Sequence, residues 1–104
     1  MRLSDRFFHM AGLAARARKC VFGALACEKA IKNSSAFLVL IDGATAEATK
    51  KSFLELCRSY GVEVLIVEPA GELGKKTGKP AGKLFAITDK NFANQLVCIY
   101  KEES

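Results

Sequence analysis

The chain has 104 residues, half of them hydrophobic, and its sixteen Lys and Arg residues against eleven acids give a net charge of +5. This length and hydrophobicity predict one folded domain over residues 1–104 and exclude a disordered tail, while the charge favours a polyanionic partner. The N-terminus lacks the apolar run of a secretory signal, and no stretch approaches the roughly 20 apolar residues of a membrane span. We therefore expect a cytoplasmic protein with no membrane partner.

Helix and strand patterns alternate along the chain. Five helices are predicted: from a cap at Ser4 or Asp5 to near Lys19, over 24–32, from a Thr45 cap to Tyr60, near 72–76, and from a cap at Thr88 or Asp89 onward. Three apolar runs of strand length lie between them, at 36–41, 62–67 and 84–87. The first run is continuous and typical of a strand covered on both faces. This alternation predicts an α/β fold, a three-layer α/β/α sandwich around a small mixed sheet.

The cysteines do not predict a metal site. Cys20, Cys27, Cys57 and Cys98 form no close Cys-x-x-Cys pair, and the chain has one histidine, His9, so we expect neither a metal nor a cofactor. Helical spacing puts two of these thiols on apolar stripes. We predict that Cys27, Cys57 and Cys98 are buried and reduced, and that Cys20, in a basic connecting stretch, is accessible.

Catalysis has little support in the sequence. The segment 71–79 is rich in Gly and Lys, but Pro69 and Leu73 stand where a phosphate-binding loop requires glycine. Asp42, at a predicted strand end, is the one carboxylate in an active-site-like position, and a turn or helix cap is its favoured interpretation. The prediction is that the chain is not an enzyme, and a small enzyme that uses Asp42 is the last of three alternatives.

Two basic segments indicate a nucleic-acid partner. The stretch 16–32 has five basic residues and one acid, and Gly23 stands in it just before a helix, whose start can receive an anion. On that helix, Leu25, Lys29 and Lys32 face away from the apolar stripe. The second segment, 75–83, has four lysines and no acid, with glycines that allow close backbone approach. Spacing alone leaves open whether the two segments adjoin.

Several short motifs, in this order and spacing, resemble a known family over nearly the full length. They are GLAxRAxK at 12–19, Gly23, CEKAIK at 27–32, LVLI at 38–41, TKK at 49–51, LC at 56–57, ELG at 72–74 with GK at 78–79, and AITDxxFA at 86–93. The chain resembles the kink-turn-binding ribosomal protein family of the L-seven-Ae and L-thirty-e type, within it the small bacterial YlxQ-like branch.

The resemblance implies a non-catalytic, ribosome-associated RNA-binding protein, expected to be a monomer, whose partner is structured ribosomal or messenger RNA bent like a kink-turn. In the family, the start of the second helix enters the RNA groove, and the loop before the last strand packs against bases that leave the stack. Carried over by position, the residues of the helix start are Gly23, Leu25, Ala26 and Lys29. Those of the loop are Lys79, Pro80, Ala81 and Gly82. Arg16 and Lys32 join the predicted RNA-binding set through their charge.

Two departures from the family pattern change the expected specificity. Kink-turn binders carry a polar pair such as Asn-Glu, which contacts guanine edges, where this chain has Leu25 and Ala26. Ala44 and Ala48 replace an Asp and an Asn of the bacterial branch. We expect the fold to survive and RNA binding to depend on the RNA backbone. The alternative function is a protein-interaction module that keeps the fold and binds protein through the Leu25 face.

Overall fold

A four-stranded mixed sheet lies at the centre of the structure, a computed structural model that describes residues 2–104. The strands are β1 (Cys20–Phe22), β2 (Leu38–Asp42), β3 (Glu63–Val67) and β4 (Leu84–Ile87), in the order β1-β4-β2-β3. β3 runs parallel to β2, and β4 runs antiparallel to both of its neighbours. The mixed sheet confirms the predicted fold class.

Within residues 2–104, five helices cover both faces of the sheet. They are α1 (Asp5–Arg16), α2 (Ala24–Lys32), α3 (Glu47–Tyr60), α4 (Glu72–Thr77) and α5 (Lys90–Glu103). All five residues of β2 are buried, because alternate side chains enter two separate cores. Leu38 and Leu40 pack in the core that α1, α4 and α5 cover, whereas Val39 and Ile41 pack under α2 and α3.

The helix caps agree with the sequence at most positions. The Ser4 hydroxyl accepts a hydrogen bond from the Arg6 N–H at 3.3 Å, and the Asp89 carboxylate accepts one from the Phe92 N–H at 3.0 Å. The predicted Thr45 cap is wrong. Ala46 is the N-cap of α3, because the turn after β2 folds the Thr45 side chain inward, where its hydroxyl has no partner among residues 2–104.

The strand β1 was not predicted. The sequence indicates a connecting stretch here, but each of the three residues pairs with a residue of β4, from Cys20 opposite Ile87 to Phe22 opposite Phe85. Three residues are too few to produce a periodic pattern, so only the partner strand defines this one. α1 likewise ends at Arg16, earlier than the predicted end near Lys19.

The cysteine predictions hold for two of the four thiols. Cys27 and Cys57 are buried, and burial raises their pKa to about 12 and about 11. Cys98 is exposed, contrary to prediction, because α5 turns Leu96 and Ile99 toward the core and leaves position 98 on its outer face. Cys20 is half-buried on β1 rather than accessible, and burial raises its pKa to about 11.

None of the helices within residues 2–104 has the length and apolar character needed to cross a membrane.

Candidate nucleic-acid interface

A cleft of about 490 Å³ lies between the start of α2 and the loop that joins α4 to β4. Phe22, Gly23 and Ala24 form one side, and residues 78–84 form the other. The β1–β4 pairing brings the two sides together, and the Gly23 N–H extends it by donating to the Leu84 carbonyl at 2.9 Å. The two basic segments of the sequence are therefore neighbours in the fold.

Gly23 gives α2 its abrupt start. Its φ of +95° lies in the region that residues with a Cβ avoid, and the space where a Cβ would stand is open to 4 Å. Its carbonyl accepts the first hydrogen bond of the helix, from the Cys27 N–H at 3.0 Å. The N–H groups of the first turn have no acceptor within a helix, and a backbone without a side chain leaves them accessible to an anion.

The α4–β4 loop is held close against α4. Gly78, with φ of +78°, ends α4, and the next N–H, of Lys79, donates to the Gly74 carbonyl at 2.8 Å. The Lys79 carbonyl in turn accepts from the Gly82 N–H at 2.7 Å. The loop is therefore a preformed wall of the cleft, although its side chains are mostly exposed.

Asp42 has a structural role beside this wall. It is 1% exposed, and its carboxylate accepts hydrogen bonds from the N–H groups of Ala44 at 2.8 Å and of Gly71, the N-cap of α4, at 2.7 Å. The Asp42 N–H donates to the Lys83 carbonyl at 2.8 Å. Asp42 thus joins the end of β2 to Gly71, where α4 begins, and to Lys83, where the α4–β4 loop ends. This agrees with its interpretation as a turn cap.

Phe22 is the residue of this surface that sequence reasoning missed. It is 43% exposed, and its ring lies against the buried ring of Phe85, with 6.5 Å between the centroids. The Lys79 Nζ lies 4.5 Å from the centroid of the Phe22 ring. The sequence does place an aromatic residue directly before Gly23. Because it does not predict the strand β1, it gives no indication of which way the Phe22 side chain points.

Most of the predicted site residues meet around this cleft. Pro80, Ala81 and Gly82 line it together with Lys79. Arg16, in the last turn of α1, lines a cavity of about 220 Å³ that shares Phe22 and Lys79 with the cleft. Ala26 lines a third cavity, of about 470 Å³, that shares the same pair and includes Arg18. Arg16, Arg18, Lys79 and Lys83 therefore surround one continuous surface.

Three predicted residues lie outside these cavities. Leu25 is 82% exposed on the outward face of the first turn of α2. Lys29 lies one turn further along the same exposed face. Lys32 ends the helix, roughly 12 Å from its start at 1.5 Å per residue, and it forms a salt bridge of 3.2 Å with Glu28. The structure thus brings Leu25 to the rim of the cleft and leaves Lys32 far from it.

Comparison with known proteins identifies the family. The model of the ribosomal protein L7Ae/L30e/S12e/Gadd45 family matches residues 6–97. The chain belongs to this family. Its membership confirms the resemblance found in the sequence and the prediction that the protein is not an enzyme.

Individual relatives extend the comparison. RNA-binding protein YlxQ of Bacillus subtilis (strain 168) is 39% identical over 93 residues, which cover 89% of this chain and 93% of that protein. A solved protein with unknown function from Bacillus halodurans C is 30% identical, with a TM-score of 0.90 over 94% of this chain and 99% of that one. The 15.5kD RNA binding protein of Giardia lamblia is 16% identical, with a TM-score of 0.76 over 97% and 90% of the two chains, a likeness of fold alone.

Proposed function

We propose that this family member is a cytoplasmic, ribosome-associated protein that binds structured RNA in the cleft between α2 and the α4–β4 loop. The RNA shape that it receives is a bend of the kink-turn type, in ribosomal or messenger RNA. One observation carries the proposal: the Gly23 helix start and the basic loop form the two sides of one cleft. The relative named as an RNA-binding protein, at 39% identity, supports it.

The chemistry of the cleft suits a folded RNA backbone. A helix start with an accessible backbone favours a phosphate, and the four basic side chains around the cleft add attraction at longer range. The α2 rim carries Leu25 and Ala26, whose side chains have no polar atom with which to contact a base edge. Binding should therefore depend on the shape and charge of the RNA more than on its sequence.

A salt titration tests the proposal. We expect the protein to bind a kink-turn RNA, and more weakly the same RNA with its bulge deleted, with affinities that fall steeply as salt rises. Contacts with about four phosphates give a log–log slope of roughly −3. The assay is fluorescence anisotropy with labelled RNA. A slope near zero, or no binding at low salt, would refute RNA binding.

Two lysine variants separate the cleft from general positive charge. Lys79→Ala removes a cation that lines all three cavities, and it should weaken binding and reduce the salt slope by about 1. Lys101→Ala, its control, removes the same charge from an exposed position on α5. Equal losses in the two variants would mean that RNA is held by the net charge and not by the cleft.

A second candidate function is favoured by the exposure of Leu25, an apolar side chain that projects from the rim of the cleft. In this case the surface binds protein. Leu25→Ser would then release a co-purifying partner and leave RNA affinity within about twofold, a change of roughly 0.4 kcal/mol. A Leu25→Ser variant that retains every co-purifying protein argues against this function.

A further inference from the structure

Phe22 has an unusual position for a large apolar side chain. It is the last residue of the edge strand β1, and it lines the cleft and both of the cavities beside it. One side of the ring contacts Phe85, which is fully buried, with an angle of 34° between the two ring planes. Phe22 is therefore packed on the core while 43% of the residue remains exposed.

The groups around the exposed part of the ring are cationic. Arg16 and Arg18 line the cavities on the α1 side, and Lys79 and Lys83 belong to the opposite loop. Acidic side chains are missing from the lining of all three cavities within residues 2–104. An aromatic face surrounded by positive charge suits a ligand that is both planar and anionic, which describes a nucleotide.

We propose that Phe22 is a stacking platform for one unpaired nucleobase of the bound RNA, and that the Lys79 side chain covers the ring until the base replaces it. The proposal rests on RNA binding in this cleft. When the base stacks on Phe22, the Lys79 ammonium leaves the ring and approaches the phosphate of the same nucleotide. No bond forms or breaks in this exchange.

The relative strengths of the two contacts favour the exchange. An exposed contact between a cation and an aromatic ring contributes about two- to fivefold in affinity. A base stacked on an aromatic side chain contributes about 5- to 150-fold. The displaced ammonium keeps an anionic partner. Stacking of the base therefore adds more to the binding affinity than the loss of the contact between Lys79 and Phe22 removes. Because every base has an aromatic face, this contact tolerates any base and fits a rim that has no polar base reader.

The test combines a protein change with an RNA change. Phe22→Leu keeps an apolar side chain and removes the aromatic face, and we expect it to weaken kink-turn RNA binding about 5- to 150-fold. Phe22→Tyr keeps the face and should bind within about threefold of the wild type. An abasic nucleotide at one unpaired position should weaken wild-type binding by a similar factor and have almost no further effect on Phe22→Leu.

A fluorescent base gives a readout that a purely structural role would not change. 2-Aminopurine at the same unpaired position should be quenched on binding to the wild type and to Phe22→Tyr, but not on binding to Phe22→Leu. Thermal unfolding of each variant shows whether it is folded. If Phe22→Leu does not fold, quenching by the wild type and its dependence on one RNA position decide the matter.

The outcomes distinguish this proposal from the one on which it rests. If the wild type binds RNA but quenches 2-aminopurine at none of the unpaired positions, the stacking platform is refuted and RNA binding stands. The same conclusion follows if a folded Phe22→Leu binds as tightly as the wild type. If the wild type binds no RNA at low salt, both proposals fall.

Discussion

The position of the α4–β4 loop depends on the absence of a side chain at Gly74. A Cβ at this buried helical position would lie 2.5 Å from the Lys79 carbonyl oxygen and 3.1 Å from the carbonyl oxygens of Pro80 and Gly82. All three atoms belong to the backbone of the loop, which cannot rotate away as a side chain can. To reach ordinary contact at 3.4 Å, the Lys79 carbonyl must move by about 0.9 Å. Gly74→Ala therefore displaces one wall of the cleft.

Two opposing terms set the stability of Gly74→Ala. Overpacking costs about 1–3 kcal/mol, and replacing glycine by alanine inside a helix returns about 1 kcal/mol. The free energy of unfolding should therefore fall by about 0–2 kcal/mol. Since 1 kcal/mol corresponds to about 4–8 °C in a domain of this size, the melting temperature should fall by up to roughly 10–15 °C. The protein stays folded, so its RNA affinity can be measured.

RNA affinity should fall as well. The displaced loop carries Lys79, and the hydrogen bond from the Lys79 N–H to the Gly74 carbonyl is also disturbed. We therefore expect at least about fivefold weaker RNA binding, or ~1 kcal/mol. Calorimetric unfolding and RNA anisotropy measure the two effects. Ser52→Thr, which adds one methyl group to an exposed position on α3, is the control and should change neither. A Gly74→Ala protein that melts higher than the wild type and binds RNA equally well would refute the close packing of the loop.

Three further predictions follow from individual side chains. The double variant Leu25→Asn and Ala26→Glu introduces the polar pair of kink-turn binders and should strengthen binding to a standard kink-turn about tenfold, or ~1.4 kcal/mol, in anisotropy titrations. If the added glutamate acted only through its negative charge, the double variant would bind RNA more weakly than the wild type. Thiol labelling of the native protein near pH 8 should modify Cys98 fast and Cys27 slowly, because burial raises the pKa of Cys27 to about 12, and Cys98→Ser should remove the fast phase. Asp42→Ala removes the carboxylate that accepts from the N–H groups of Ala44 and Gly71. It should lower the free energy of unfolding by about 1–3 kcal/mol in urea denaturation, whereas an unchanged midpoint would contradict its role.

Local sequence determined most of the secondary structure. The second helix, predicted over 24–32, and the strand over 84–87 have the same bounds in the structure, and Gly61 ends α3 in the left-handed conformation as predicted. These features depend on residues within a turn or two of one another: on the spacing of apolar side chains, on a cap, or on the freedom of a glycine. The family motifs were equally visible, because their order along the chain carries the information.

The candidate site depended on tertiary structure. β1 exists only because β4 lies beside it, and without that pairing neither the direction of Phe22 nor the contact between the two basic segments could be predicted. Lys32, whose charge predicts it as part of the site, lies at the far end of α2, and Thr45 is buried and does not cap α3. Apolar patterns within a segment can predict a strand, but they do not show which distant strand it pairs with. The sequence by itself therefore determined the elements, the family and the sign of the charge, whereas the packing of β1 on β4 decided which residues share the cleft.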